Sequence, residues 1–465
     1  MLNENTHSES NDEEDGLDRV GLLVSSLIAM LCLIMWGVKA STGAYWAEIG
    51  LLISQVALIS VVIWQACDPF ADAAQWIGDR FQLPGSVRGA TLDAVASSMP
   101  ELFSGIFFVV VALAAVEGGI PEDRVAAGSE GYGSTIATCA GSAVYNMILI
   151  PAFCGLVIAF SRKSRPTIDV EDEVISRDGM WFVGCEMLLI LFLFQNTMHW
   201  WMAIVFLCLY AVYIFQLYRD AGTYRKKVSA IRQYVAENGA DVGVGDVMDA
   251  MAHAGWRVSR ELVMTTLAEI RDDLANDGET DDDETESADI FFGLFSVSLN
   301  PLTVFLVLSL STLVAAGACY FLVEVTLETA KLLSVPTFFV AVVLAAAASS
   351  VPDTFLAIGA ARRGDDSGAV SNAFGSNIFD ICVCLSIPLL VNSYLTEWQP
   401  VALLQDGRPI AGLVGLRILL VVLTVLTLAI MWHNRQLTFR KSLVLCGLYG
   451  VFLAYAVLGS LGVLF

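Results

Sequence analysis

Two stretches decide how this chain is read: Ser-Ser-Met-Pro-Glu-Leu-Phe at 97–103 and Ser-Ser-Val-Pro-Asp-Thr-Phe at 349–355. Each lies in an apolar run and is followed by a second element, Gly-Ser-Ala-Val-Tyr-Asn at 141–146 and Gly-Ser-Asn-Ile-Phe-Asp at 375–380. A carboxylate within a membrane-spanning run is costly unless something cationic compensates it. Glu101 and Asp353 are two such groups in matching halves, which points to a cation site where two repeats meet.

The rest of the sequence fits a chain that lives in lipid. It has 465 residues, 56% hydrophobic, and a mean hydropathy of +0.67. Repeated apolar runs of about 18 residues or more exclude a large soluble α/β protein. The net charge of −23 comes mainly from an N-terminal tail carrying Asp12-Glu13-Glu14-Asp15 and from the segment after the fifth main span. Such acidity excludes nucleic-acid binding. The ten cysteines have neither metal-ligand spacing nor a secreted disulfide pattern, and read as small core residues. The first apolar run follows an acidic tail and ends at Lys39 without a cleavage site, so no cleavable signal is expected.

Apolar runs give an extra helix near 19–38, then spans near 46–78, 86–116, 133–160, 178–196 and 199–218. After a polar segment, five more follow near 299–332, 335–361, 367–392, 410–432 and 441–464. The predicted organisation is an acidic tail (1–18), an N-terminal transmembrane helix (19–40), a five-helix repeat (46–218), a loop with short amphipathic helices (219–290) and a second five-helix repeat (299–465). With the N-terminus cytoplasmic, the inside connections carry Arg80, Arg88, Arg162, Lys163, Arg165, Arg177, Arg219, Arg225, Lys226, Lys227, Arg362, Arg363, Arg435, Arg440 and Lys441. The outside ones hold only Lys39, Arg124, Lys331 and Arg408, and the loop 117–130 is acidic, as the positive-inside rule requires. Equivalent points of the halves are five spans apart, so the second copy crosses in the opposite direction. The expected fold is all-α and polytopic, with ten core helices in two inverted repeats.

Pro100 and Pro352 remove a backbone donor and clash with the carbonyls of Ala96 and Ala348, so each helix is predicted to break in mid-membrane. The residues around the breaks offer hard oxygen: Glu101, Asp353, Ser97, Ser98, Ser349 and Ser350, joined by Ser142 and Ser376. Asn146 and Asp380 follow those last serines by four residues, on the same helix face. Ca²⁺ takes about 6–8 oxygens in flexible geometry, and Na⁺ is similar in size, so one cluster can hold several Na⁺ or one Ca²⁺. A transition metal is disfavoured by the lack of an ordered Cys/His set. One such motif alone reads equally well as a capped helix kink; two in opposed halves do not.

These elements resemble the alpha repeats of the sodium/calcium exchangers of the cation/calcium exchanger superfamily. The resemblance covers the span layout and about 90 residues of motif, and its second repeat is most similar to the potassium-dependent branch. The stretches that carry this are Ser-Val-Pro-Asp-Thr at 350–354, Ala361-Arg362-Arg363-Gly364 and Gly-Ser-Asn-Ile-Phe-Asp at 375–380. The resemblance implies that Glu101 and Asp353 are the central Ca²⁺ and Na⁺ ligands and that Asn146 is a mid-site ligand. It also implies hydroxyl ligands at Ser97, Ser98, Ser142, Ser349, Ser350 and Ser376, and carbonyl ligands at Ala94 and Ala346. Asp380 permits K⁺ coupling without proving it. Three departures stand out: Ser-Ser replaces Thr-Ser in both repeats, Ala143 replaces an Asn, and Asp93 occupies a normally apolar position.

Asp93 is read as a cytoplasmic-vestibule carboxylate that attracts cations, against a locally bonded one. Glu186, inside a span, is read as a packing carboxylate rather than a proton relay. In the loop, amphipathic helices are expected near 245–254 and 259–274, with Val247, Met248, Met251, Leu262, Val263, Leu267, Ile270 and Leu274 as an apolar seam, and Tyr224-Arg225-Lys226-Lys227 can meet anionic lipid headgroups. The run Asp281-Asp282-Asp283-Glu284 lacks EF-hand spacing and reads as a solvated linker rather than a Ca²⁺ regulator. The functional expectation is Na⁺/Ca²⁺ antiport in a cell membrane, with K⁺ co-transport left open, no enzymatic activity and no cofactor. The alternatives are Ca²⁺/H⁺ antiport on the same scaffold and a passive cation channel. Oligomeric state is left open.

Overall fold

Inside lipid a chain can satisfy its own backbone only as helix or closed barrel, and every long apolar run here is helical. The computed structural model describes residues 4–81, 83–116, 118–162, 166–170, 174–239, 241–256, 258, 260–276, 287–405, 408–409 and 412–461. The main helices of the first half are α1 (Glu4–Thr42), α2 (Tyr45–Arg80), α3 (Ala94–Ala114), α4 (Pro121–Ser161), α5 (Met180–Leu193) and α6 (Trp200–Asn238). The connecting segment holds α7 (Val244–His253) and α8 (Arg260–Asn276). The second half holds α9 (Pro301–Leu333), α10 (Ala346–Ser349), α11 (Val351–Arg362), α12 (Asp366–Phe379), α13 (Ser386–Leu395), α14 (Leu413–Trp432) and α15 (Phe439–Ser460). Among the described residues, ten helical runs are long and apolar enough to cross a membrane. A π-turn at Val174–Gly179 leads directly into α5, so this further apolar helix runs from 174 to 193. The protein is an integral membrane protein built of an N-terminal helix and ten core spans.

Several helices outrun the apolar stretch that predicts them. The acidic segment 121–130, expected in a loop, forms the first turns of α4: Pro121 stands at the first helical positions and Glu122 and Asp123 in the first turn, where a fixed φ and negative charge both suit a helix N-terminus. α6 continues past the apolar run to Asn238, and its end packs Ile231 and Val235 against Val247 and Met251 of α7 and Leu262, Val263 and Leu267 of α8. The amphipathic seam expected in the loop is therefore buried in a small helical unit, with Met248 and Ile270 at its edge. The Leu274 side chain and the acidic run 281–284 lie outside the described residues.

The two repeats run in opposite directions. α3 starts beside Arg88, which is ion-paired to Asp365, and its far end leads to Val116 in the wall of a vestibule. The equivalent helix of the second repeat starts at the vestibule, with Thr337 and Phe338, and ends at the turn that carries Asp365. The helices cross where small residues allow it. A Cβ on Gly141 would lie 2.1 Å from the Val342 carbonyl oxygen, and one on Gly375 would lie 2.6 Å from Cα of Ala90. These are mirror-equivalent contacts, one in each direction, and they bring the two polar elements together.

The helix breaks differ from expectation. α3 runs through Pro100 without interruption, whereas the second repeat breaks at Ser350, between α10 and α11. What the repeats share is a π-turn just upstream, Gly89–Asp93 before α3 and Ala341–Ala345 before α10. A π-turn adds a residue to the helical turn. In the first repeat that slack, two turns before the proline, precedes an unbroken helix; in the second, Ser350 also leaves the helical conformation (φ −85°, ψ 3°).

Candidate cation site

The crossing of α3, α4, α11 and α12 buries three carboxylates, Glu101, Asp353 and Asp380, all without exposed surface. On one side Ser142 Oγ lies 3.1 Å from Glu101 Oε1 and 2.9 Å from Asp380 Oδ2. Ser350 Oγ, freed by the helix break, lies 3.2 Å from the same Glu101 oxygen and 3.0 Å from Ser142 Oγ. Asn146 Nδ2 donates to Ser142 Oγ at 3.3 Å. On the other side Ser376 Oγ donates to Asp353 Oδ1 at 2.7 Å and meets Ser97 Oγ at 3.3 Å. The Ser142–Glu101 and Ser376–Asp353 pairs are equivalent under the repeat.

The carbonyls of Ala94 and Ala346 sit beside these groups in equivalent roles. Ala94 O accepts from Ser97 Oγ at 3.4 Å and Ala346 O from Ser349 Oγ at 3.2 Å. Ala346 O also accepts from the Ser350 backbone N–H across the break. Ser98 lies fully buried with its hydroxyl unpartnered. Every residue expected in the site is thus packed at this one crossing.

The site lacks donors. Each serine hydroxyl has one proton, so Ser142 can satisfy Glu101 or Asp380 but not both. Among the described residues, Glu101 Oε2, Asp353 Oδ2, Asp380 Oδ1, Asn146 Oδ1 and Ser98 Oγ are all buried without a hydrogen-bond partner. Unpaired buried carboxylate oxygens cost several kcal/mol (order of magnitude) unless a cation meets them. Among the described residues, no three side chains of Asp, Glu, His or Cys converge closely enough to hold a metal by themselves. The carboxylates are instead separated by hydroxyls, so any cation held here takes mixed carboxylate, hydroxyl, amide and carbonyl oxygen. That donor set suits a hard ion such as Ca²⁺ or Na⁺.

The two ends of the crossing are unlike. At one end Arg88, from the first repeat, pairs with Asp365 at 3.1 Å, and Arg162 pairs with Asp366 at 2.9 Å and also donates to the Ala361 carbonyl. Buried Asp178, held by Arg177 at 2.7 Å, accepts from Ser371 of α12 and from Tyr213 of α6. These contacts clamp residues 361–371 to the first repeat and form a sealed end. At the other end a vestibule of ≈ 1250 Å³, lined by Glu122, Arg124, Glu130, Ser134, Phe338 and Glu397 among others, reaches Ser134, two turns of α4 short of Ser142.

Two expectations are settled by these contacts. Asp93 is not a free carboxylate: its Oδ2 is 3.4 Å from Nε of Arg88, the side chain that also pairs with Asp365. The alternative local reading wins because a cationic side chain lies five residues away on the same helical run. Glu186 accepts from Thr424 at 2.9 Å on the packing face between α5 and α14. The Arg177–Asp178–Ser371 and Arg162–Asp366 links were not legible in the sequence, since nothing in spacing joins residues about 200 positions apart.

The family model described as "Sodium/calcium exchanger protein" matches residues 49–219 and 303–458. Human sodium/potassium/calcium exchanger 5 is 24% identical over 374 residues, 70% of this chain and 67% of that protein. Bovine sodium/potassium/calcium exchanger 1 is 32% identical over 160 residues, 34% of this chain but 11% of that protein, and rat sodium/potassium/calcium exchanger 3 is 28% identical over 149 residues, 32% and 20%. The match therefore spans well under two thirds of the length of those two relatives. Among solved structures, that of an H⁺/Ca²⁺ exchanger, CAX, superposes with a TM-score of 0.56 at 16% identity, covering 97% of this chain and 94% of that one. This last likeness concerns the fold.

Proposed function

The chain belongs to the sodium/calcium exchanger protein family, and from that premise we propose that it exchanges Na⁺ for Ca²⁺ across a membrane by alternating access. The observation that carries this reading is the donor deficit of the site: three buried carboxylates, each with an oxygen left without a hydrogen-bond partner among the described residues. One Ca²⁺, or several Na⁺, compensates that charge, and ions competing for the same oxygens are coupled without further machinery. Glu101 and Asp353 are the central ligands, with Asn146, Asp380, the hydroxyls of Ser97, Ser98, Ser142, Ser349, Ser350 and Ser376, and the carbonyls of Ala94 and Ala346 completing the shell.

An empty site resists closing against apolar surface because its charges stay unmatched; an occupied site is compensated and lets one repeat move against the other. The sealed end is the cytoplasmic one in this reading, since Arg88, Arg162 and Arg177 lie in the basic connections and the vestibule end is acidic. The N-terminus and the large loop then face the cytoplasm, and the physiological direction is Ca²⁺ export through a cell membrane. The relatives named for Na⁺, K⁺ and Ca²⁺ support K⁺ as a third ion, for which Asp380, joined to Glu101 through Ser142, supplies the carboxylate.

The test is Na⁺-gradient-driven uptake of radiolabelled Ca²⁺ in proteoliposomes, with and without K⁺. Uptake that needs the Na⁺ gradient and disappears in Glu101→Ala and Asp353→Ala is the expected result. Uptake driven instead by a pH gradient without Na⁺ would place the chain with the Ca²⁺/H⁺ antiporters.

A further inference from the structure

Between the sealed end and the site lies one polar side chain to which nothing above gives a role. Asn372 is 2% exposed, and both ends of its amide are buried without a partner. A buried amide normally makes most of its hydrogen bonds, and losing them costs about 1–3 kcal/mol. Asn372 lies one turn before Ser376 on α12, on the face that presents Ser376 to Asp353. That register puts Asn372 beside the Asp353 carboxylate, whose Oδ2 is unpartnered among the described residues. Toward the sealed end its neighbour in sequence, Ser371, is fixed to Asp178.

The repeat makes the contrast plain. The position equivalent to Asn372 in the first repeat is Thr138, fully buried one turn before Ser142, and its hydroxyl donates to the Ser134 carbonyl of its own helix at 3.0 Å. Thr138 needs nothing further; Asn372 does. The two sides of the crossing therefore differ in oxygen donors, and the extra one lies toward the sealed end.

We propose that Asn372 is a cation ligand: its Oδ1 and Asp353 Oδ2 hold a monovalent cation on the sealed-end side of Asp353, a step on the ion path with no counterpart beside Glu101. One carboxylate and one neutral amide match a single positive charge; Ca²⁺ requires more carboxylate than this position offers. The inference rests on the Na⁺/Ca²⁺ reading and assigns Na⁺ to this position. Asn372 thus sets how many Na⁺, and at what concentration, displace Ca²⁺.

The experiment is equilibrium binding of radiolabelled Ca²⁺ to the purified full chain in detergent, displaced by NaCl at constant ionic strength with choline chloride. Ca²⁺ binding to the unmodified chain that Na⁺ does not displace would overturn the exchanger reading and this inference with it. Where Na⁺ does displace Ca²⁺, Asn372→Leu should raise the half-displacing Na⁺ concentration by about 10-fold, the equivalent of one lost ligand, and lower the Hill coefficient. That shift should exceed any change in Ca²⁺ affinity by at least about 5-fold. An unchanged Na⁺ curve in Asn372→Leu would sink the inference and leave the exchanger reading standing. Asn372→Asp keeps an oxygen at nearly the same volume and decides the matter if the leucine variant does not fold: displacement at lower Na⁺ supports a ligand, and unchanged or weaker displacement shows a packing amide.

Discussion

The hydroxyl oxygens of Ser97 and Ser376, which come from opposite repeats, stand 3.3 Å apart. The repeat symmetry pairs Ser98, not Ser97, with the Ser350 that meets Ser142 on the other side. Symmetry is off by one residue because only the second repeat is broken at the signature. Ser376 also donates to Asp353, while Ser97 donates to the Asp93 carbonyl of its own helical run at 2.9 Å. Ser376→Ala removes a 2.7 Å hydrogen bond from a buried carboxylate and should destabilise by about 1.5–3 kcal/mol, whereas Ser97→Ala should cost under about 1 kcal/mol. Melting midpoints in detergent check the order; equal shifts would contradict it.

Ser142 holds Glu101 and Asp380 apart with one proton between them. Ser142→Ala removes a shared hydroxyl and leaves the two carboxylates facing across an apolar gap. Ca²⁺ affinity should fall by about 10-fold or more, the loss of one charge-assisted contact of ~1.5–3 kcal/mol, with the folded chain still recovered. Binding of radiolabelled Ca²⁺ to the purified variant reads this directly.

How much of this arrangement was legible in sequence depends on whether the signal is local. Glu101, Asp353, Asn146, Asp380 and the six serines announce themselves because polar groups are scarce in apolar runs, and the duplication tells which elements meet, though not which serine of each pair. The break expected at Pro100 is absent, and residue type does not announce this: both repeats carry the proline and an upstream π-turn, yet only the second is interrupted. The two π-turns, Gly-Ala-Thr-Leu-Asp at 89–93 and Ala-Val-Val-Leu-Ala at 341–345, share little in sequence. The ion pairs of the sealed end join Arg88 to Asp365 and Arg162 to Asp366 across the whole chain, and only the fold brings them together. Asp93 looked free from its apolar family position, yet Arg88 was near enough to claim it.

Gly141 and Gly375 set the distance at which the repeats cross. A methyl at Gly141 would meet the Val342 carbonyl oxygen at 2.1 Å, and one at Gly375 would meet backbone of Ala90 at 2.6 Å. Backbone cannot rotate away as a side chain can, so Gly141→Ala and Gly375→Ala must push helices apart. Overpacking of this kind costs about 1–3 kcal/mol or more, and the site oxygens separate with it. Both variants should lose Ca²⁺ binding and melt earlier, while Gly184→Ala, where a Cβ meets nothing within 4 Å, should do neither.

The seal at residues 361–371 depends on charge. Arg162 grips Asp366 with both nitrogens, at 2.9 and 3.2 Å, and Asp366 also accepts from the Asp169 backbone N–H at 3.0 Å. Asp366→Asn cannot reproduce a bidentate carboxylate pair, and the half-buried pair is worth more than a surface one of about 0–1 kcal/mol. The amides around Ala361–Asp366 should exchange hydrogen faster in the variant. Unchanged exchange there would show that apolar packing, not the ion pairs, closes this end.

The two signature prolines should behave differently although their sequences match. Pro100 lies inside continuous α3 and merely deprives Ala96 of a donor, so Pro100→Ala restores a hydrogen bond and leaves the path of the helix unaltered. Pro352 lies at the start of α11, where a fixed φ and a missing N–H favour a helix beginning. Pro352→Ala lets α10 and α11 join into one helix. Joining them would turn Ser350 away from Glu101 and Ser142, toward the arrangement of the unbroken repeat, in which Ser98 has no partner. Ca²⁺ affinity should therefore drop by about 10-fold or more in Pro352→Ala and by under about 2-fold in Pro100→Ala. Equal losses in the two variants would mean that the break at Ser350 does not position the ligand, and that both prolines act only on helix stability.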